Sequence, residues 1–126
     1  MFTFERLTVY QRSLLLVEAV EGLTAELKGR VSFSLIDQLS RATLSIPLNI
    51  AEGEGRWHKG EKRQFLRISR GSVFEVVPIL QVLRKKGLIE EDGYRQLYGE
   101  LEAISKMLIA LEKSINGLRD GPKVSP

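Results

Sequence analysis

Eight apolar residues, Tyr94, Leu97, Leu101, Ile104, Leu108, Leu111, Ile115 and Leu118, recur in alternating steps of three and four toward the end of the chain. That spacing lays a single apolar stripe along a helix of about seven turns, the pattern of a seam between packed helices. Such a helix cannot bury its stripe alone, so the rest of the chain must supply partners. Three more segments with helical periodicity precede it, separated by glycine-containing breaks.

The first segment opens at Thr8, where a capping box with Gln11 is expected, and ends near Lys28-Gly29. Val9, Leu16, Val20, Leu23 and Leu27 form its stripe, while Tyr10, Leu14 and Leu15 spill onto a second face. The second segment runs from about Ser34 to Gly53-Glu54-Gly55 with Leu35, Leu39, Thr43, Ile46 and Ile50 inward, and Pro47 is expected to kink it. The third runs from about Gly60 to Lys86, with Gly87 just past its end and Pro78 as a second kink. Between Val73 and Leu83 it is apolar on nearly every side, which demands cover on most of its circumference. In the fourth, Glu90, Glu91 and Asp92 suit the N-terminus and Asn116-Gly117 marks the end. Helices of this length joined by short connections predict an all-α, antiparallel up-down four-helix bundle over residues 1–118, followed by a frayed tail at 119–126.

Composition narrows the chemistry. The 126 residues include no cysteine, which excludes thiol nucleophiles, thiolate metal sites and disulfides. The opening residues Met1 to Arg6 carry no basic stretch ahead of an apolar core, and no apolar run approaches a membrane span, so a cytoplasmic protein is expected. The lone histidine, His58, lies among Arg56, Trp57 and Lys59, cations that disfavour the imidazolium a catalytic base must form. Neither a Glu-x-x-His motif nor a phosphate-binding glycine loop is present. No enzyme, metal or cofactor is expected.

Two polar constellations remain. Gln38, Arg41, Ser45, Asn49 and Glu52 share a face of the second segment, which reads either as a solvated surface or as a hydrogen-bonded seam against another helix, involving Ser72 and Glu75. The other is a basic run, Arg56, Lys59, Lys62, Arg63, Arg67 and Arg70, offset by Glu61, with Trp57 nearby as a stacking surface. It reads as a solvated face, as a subunit contact, or as phosphate-binding residues for nucleic acid. The net charge of +3 does not choose between them.

Several segments carry a resemblance: Phe4-x-x-Leu7, Tyr10-Gln11, Gln38-Leu39-Ser40-Arg41-Ala42, Ser45-Ile46-Pro47, Asn49-Ile50-Ala51-Glu52-Gly53 and Phe65-Leu66-x-Ile68-Ser69-Arg70-Gly71-Ser72. The chain resembles the four-helix-bundle family named after proteins encoded in intervening sequences of bacterial large-subunit ribosomal RNA. It departs from the family pattern at Gly60, Ser69, where alanine is usual, and Pro78. The resemblance implies a ring-like homopentamer with a role in binding nucleic acid, RNA foremost, and no catalytic residues to carry over. More distantly the chain is similar to accessory proteins of diversity-generating retroelements, which implies a protein partner such as a reverse transcriptase. Within the motif, Gly53 is expected to stop the second helix in a left-handed conformation while Asn49 and Glu52 hold that end in place.

Overall fold

A computed structural model describes residues 1–117. A 3₁₀ turn at Thr3–Arg6 leads into α1 (Thr8–Leu27), followed by α2 (Phe33–Glu54), α3 (Lys59–Lys85) and α4 (Glu91–Asn116). Leu118 and the tail expected at 119–126 lie outside the described residues. Among the described residues the chain is a four-helix, all-α bundle without strands, and no helix is long and apolar enough to cross a membrane.

The stripes read from the sequence form the core. Leu16, Val20 and Leu27 of α1, Leu39, Ile46 and Ile50 of α2, Val73, Leu80 and Leu83 of α3 and Leu101, Ile104 and Leu108 of α4 are all nearly inaccessible. Each such side chain stabilises the fold by about 1.5–3 kcal/mol. Leu97 and Leu111 of the α4 seam are half-buried against the same cluster. α2 packs against α1 and α3, and α4 against α3 and α1. The second face of α1 stays open, with Leu15 63% exposed, and so does much of α3, where Phe74 is 63% exposed. Part of the apolar stretch of α3 therefore stays uncovered in the single chain.

Helix ends differ from expectation where neighbouring segments intervene. The Thr8 capping box is absent: α1 is entered from Leu7 without a side-chain cap. Phe4 instead packs edge-on against Tyr10 at 5.0 Å, holding the 3₁₀ turn over the helix start, and the Gln11 amide donates to the Glu5 carbonyl at 3.0 Å. α2 begins one residue early because Ser32, not Ser34, accepts the Leu35 N–H at 3.2 Å. α2 and α3 both continue past their prolines, Pro47 and Pro78. Gly87, at φ 71°, does end α3 as expected: the Leu88 N–H bonds the Leu83 carbonyl at 3.0 Å and the Gly87 N–H that of Arg84 at 2.9 Å. Arg84 then forks onto Glu91 at 2.7 and 2.9 Å and lies over the Tyr94 ring, closing the corner into α4. Hydrogen bonding to Glu91 is the main reason its guanidinium pKa is raised above the ordinary value.

Gly53 is the largest correction. It does not stop α2 in a left-handed conformation, because the helix runs through it to Glu54; among the described residues only Gly29 and Gly87 have positive φ. It is buried, and a Cβ there would lie 3.0 Å from the Phe65 Cβ and 3.3 Å from the Lys62 carbonyl oxygen. Both atoms belong to or adjoin the α3 backbone, so α3 must move to admit a methyl group. Overpacking of this kind costs about 1–3 kcal/mol, against about 1 kcal/mol gained from the better helix propensity of alanine. Gly53→Ala is expected to lower stability by roughly 1 kcal/mol. Gly22→Ala on α1, where nothing lies within 4 Å, should raise it by about 0.5–1 kcal/mol. Urea unfolding midpoints of the two variants check the opposite signs.

Candidate nucleic-acid interface

The close approach at Gly53 places the end of α2 against the first turns of α3, and the basic residues grow out of that junction. The last carbonyls of a helix lack intrahelical partners. Here the Glu54 carbonyl receives the Lys62 ammonium at 3.1 Å. Arg56, just past the helix end, reaches back to Glu52 at 3.1 Å while its guanidinium carbon sits 4.7 Å from the centre of the Phe65 ring. The Arg56 N–H bonds the Gly53 carbonyl at 3.1 Å and the Lys62 N–H bonds that of His58 at 3.0 Å, so the connection is tied down at both ends. Trp57 and His58 are exposed on it.

The remaining cations lie along α3. Arg63 donates to the Asn116 side chain at 3.0 Å and Arg67 to Glu112 at 2.7 Å, both in the final turns of α4. Arg70 lies 5.9 Å from the Phe74 ring centre. Lys59, at the start of α3, is half-buried. The six basic residues thus run from the connection along the first half of α3, and their partners differ. Glu52 and Glu112 pair with Arg56 and Arg67, whereas Lys62, Arg63 and Arg70 meet a carbonyl, an amide and a ring.

The polar face of α2 divides. Ser45 and Asn49 point toward α3, where the Ser72 hydroxyl donates to Ser45 Oγ at 2.8 Å, and the Asn49 amide donates to the Ser45 carbonyl at 2.8 Å and hydroxyl at 2.9 Å. Gln38, Arg41, Glu52 and Glu75 are exposed: Arg41 pairs with Asp37 at 2.9 Å, and Glu52 with Arg56. The seam therefore holds Ser45, Asn49 and Ser72, and the hold that Asn49 was expected to exert on the helix end acts one turn earlier, on Ser45. Sequence reasoning missed one member. Ser69, fully buried, donates to the Ile46 carbonyl at 2.9 Å. Its position three residues before Ser72, on the same helix face, was the available signal.

Two grooves complete the surface. The one between α1 and α4, about 890 Å³, is bridged by a bidentate Arg12–Glu100 pair at 2.7 Å. A shallower apolar groove of about 490 Å³ runs between α3 and α4, lined by Phe74, Val77, Pro78 and Tyr98.

This arrangement of helices is shared with a solved structure. A protein of unknown function of the S23 ribosomal protein family from Bacteroides thetaiotaomicron VPI-5482 superposes with a TM-score of 0.79 at 24% sequence identity, over 84% of this chain and 99% of that one. At that identity the likeness concerns the fold. No curated protein matches the chain. The family model of the 23S rRNA-intervening sequence proteins matches residues 5–110, a span that contains α1, α2, α3, most of α4, the Gly53 junction and the six basic residues. The chain belongs to the 23S rRNA-intervening sequence protein family.

Proposed function

We propose that this protein is a non-catalytic, cytoplasmic homo-oligomer that binds nucleic acid, RNA foremost, through phosphate contacts with little base specificity. The observation that carries the reading is the basic run on the α2–α3 connection and the first half of α3: Arg56, Lys59, Lys62, Arg63, Arg67 and Arg70, with Glu61 as the acidic residue interspersed among them. Lys62, Arg63 and Arg70 are the strongest phosphate ligands of the set, because their described contacts are to neutral groups. The family's name ties its members to 23S rRNA, which favours RNA over DNA as the ligand. An up-down bundle assembled as a ring, a pentamer as the family resemblance implies, accounts for the apolar surface left open: Leu44 and Leu48 on α2 and Ile68 and Phe74 on α3 are all more than two-fifths exposed. Repetition of the basic junction around such a ring multiplies a weak site by effective concentration.

A second reading rests on the apolar groove between α3 and α4. In it the protein is a scaffold for another protein, for instance a reverse transcriptase, and the partner holds the nucleic acid.

Light scattering separates these readings: a multi-subunit particle that gains mass on adding a short RNA at low salt, and sheds it as salt rises, fits the first. A particle indifferent to RNA fits the second, and a monomer removes the assembly. Replacing Arg63 and Arg70 together by glutamine should reduce the slope of log K against log salt by about 0.7 for each lost contact to a single strand. Arg67 needs a separate control, since Glu112 is only 17% exposed at its side chain and loses its partner in Arg67→Ala. A double-mutant cycle of Arg67→Ala with Glu112→Gln is expected to give a coupling of about 0.5–1 kcal/mol in urea unfolding. Loss of RNA binding in the Arg67 variant counts toward the interface only beyond that structural effect.

A further inference from the structure

The connection between α2 and α3 carries two planar side chains in succession, Arg56 and Trp57, and phosphate binding does not account for their planarity. Trp57 is 49% exposed, and among the described residues its ring enters no ring–ring or cation–ring contact. Arg56 follows a different logic from the other cations. Its charge is offset by Glu52 and its guanidinium carbon sits over the Phe65 ring, 4.7 Å from the centre, yet 43% of the side chain remains open. A guanidinium already paired on its own helix is a weaker phosphate ligand than an unpaired one, but its plane also offers a stacking surface.

Resting on the RNA-binding reading of this junction, we infer that Trp57 and Arg56 form a stacking platform for unpaired bases, and that the ligand is single-stranded RNA. An indole and a guanidinium plane can stack only on a base whose face is free, and a duplex hides those faces within its own stack. The backbone that carries the platform is held in place. The backbone bonds from Arg56 to Gly53 and from Lys62 to His58 fix the connection, and the ammonium of Lys62 on the Glu54 carbonyl ties α3 to the end of α2 beneath it. Little ordering cost is then left for binding. Lys62 and Arg63 follow within two turns of α3, so a strand whose bases lie on Trp57 and Arg56 can run its phosphates along them.

The chain carries its own probe, since Trp57 is its single tryptophan. Wild-type protein is titrated at low salt with a mixed-sequence single-stranded RNA of twelve nucleotides and with a blunt duplex of the same length. Tryptophan emission reports the contact at Trp57, and the anisotropy of a dye-labelled RNA reports binding. The inference expects emission to change with the single strand and not with the duplex. Trp57→Ala should weaken single-strand binding on the order of tenfold and Trp57→Phe much less, with duplex binding unchanged in both. Arg56→Lys, which keeps the charge and removes the plane, should weaken single-strand binding several-fold. Equal binding of both RNAs with constant emission and a silent Trp57→Ala overturns the platform while leaving the RNA reading intact. Wild-type affinity in Arg56→Lys removes Arg56 from it. Failure of both RNAs to bind wild-type protein overturns the RNA reading, and the platform with it.

Discussion

Where α2 passes α3 at Gly53, a hydrogen atom occupies the direction in which a side chain would meet the Phe65 Cβ at 3.0 Å. Two helix backbones can approach this closely only if one of them lacks a side chain at the crossing. The approach sets a register that polar contacts repeat further along: Ser69 donates to the Ile46 carbonyl and Ser72 to the Ser45 hydroxyl. Numbers fall along α2 as they rise along α3, so the two run in opposite directions from this junction. The Phe65 ring is thereby brought to Arg56, and the Lys62 ammonium to the last carbonyls of α2. A glycine that sequence reasoning assigns to stopping a helix in fact positions the neighbouring one.

The same junction explains why the basic residues are concentrated where they are. The C-terminal turns of α2 and α4 both meet the N-terminal half of α3, and both present unsatisfied carbonyls at the negative end of their dipoles. Lys62 on Glu54, Arg63 on Asn116 and Arg67 on Glu112 compensate those ends. A structural role and a phosphate-binding role are compatible for a side chain that meets a neutral acceptor, since a phosphate then adds to its contacts. They compete for Arg67, whose carboxylate partner is mostly buried, and the exposed Arg56–Glu52 pair is weak by comparison. Charge counting alone treats all six residues alike.

Apolar surface tells a related story about cover. α3 carries Val73, Val76, Ile79, Leu80 and Leu83 into the core with Val77 packed at its edge, and leaves Phe74 and Val82 outside it. A helix at the corner of a four-helix bundle is flanked by two neighbours, and its outer face meets water unless another surface arrives. Phe74 at 63% exposure, and Leu48 on α2 at 55%, are the plainest instances. Prolines at positions 47 and 78 do not interrupt their helices, so this open surface is continuous along regular elements and not an artefact of broken ones.

Most of the fold was legible in the sequence. Apolar stripes at helical spacing named most core residues of α1, α2 and α4, whereas for α3 the sequence showed only a stretch apolar on nearly every side; Gly87 was rightly placed after α3, because periodicity and a left-handed cap are local properties of the chain. The Phe4 to Leu7 segment and Asn49 to Gly53 likewise carried the family. What escaped was non-local. The Thr8 cap gave way to a 3₁₀ turn held by Tyr10, Ser69 turned out to bond Ile46 on another helix, and Gly53 works by proximity to Phe65 and Lys62. The basic run was visible as six residues, yet its division into neutralised and available cations was not. By itself the sequence determined which residues are buried and where helices lie, since these follow from spacing along one chain. Only the tertiary structure decided what Gly53, Arg56 and Arg67 do, because their roles depend on atoms that are distant in sequence and adjacent only once α2, α3 and α4 have packed.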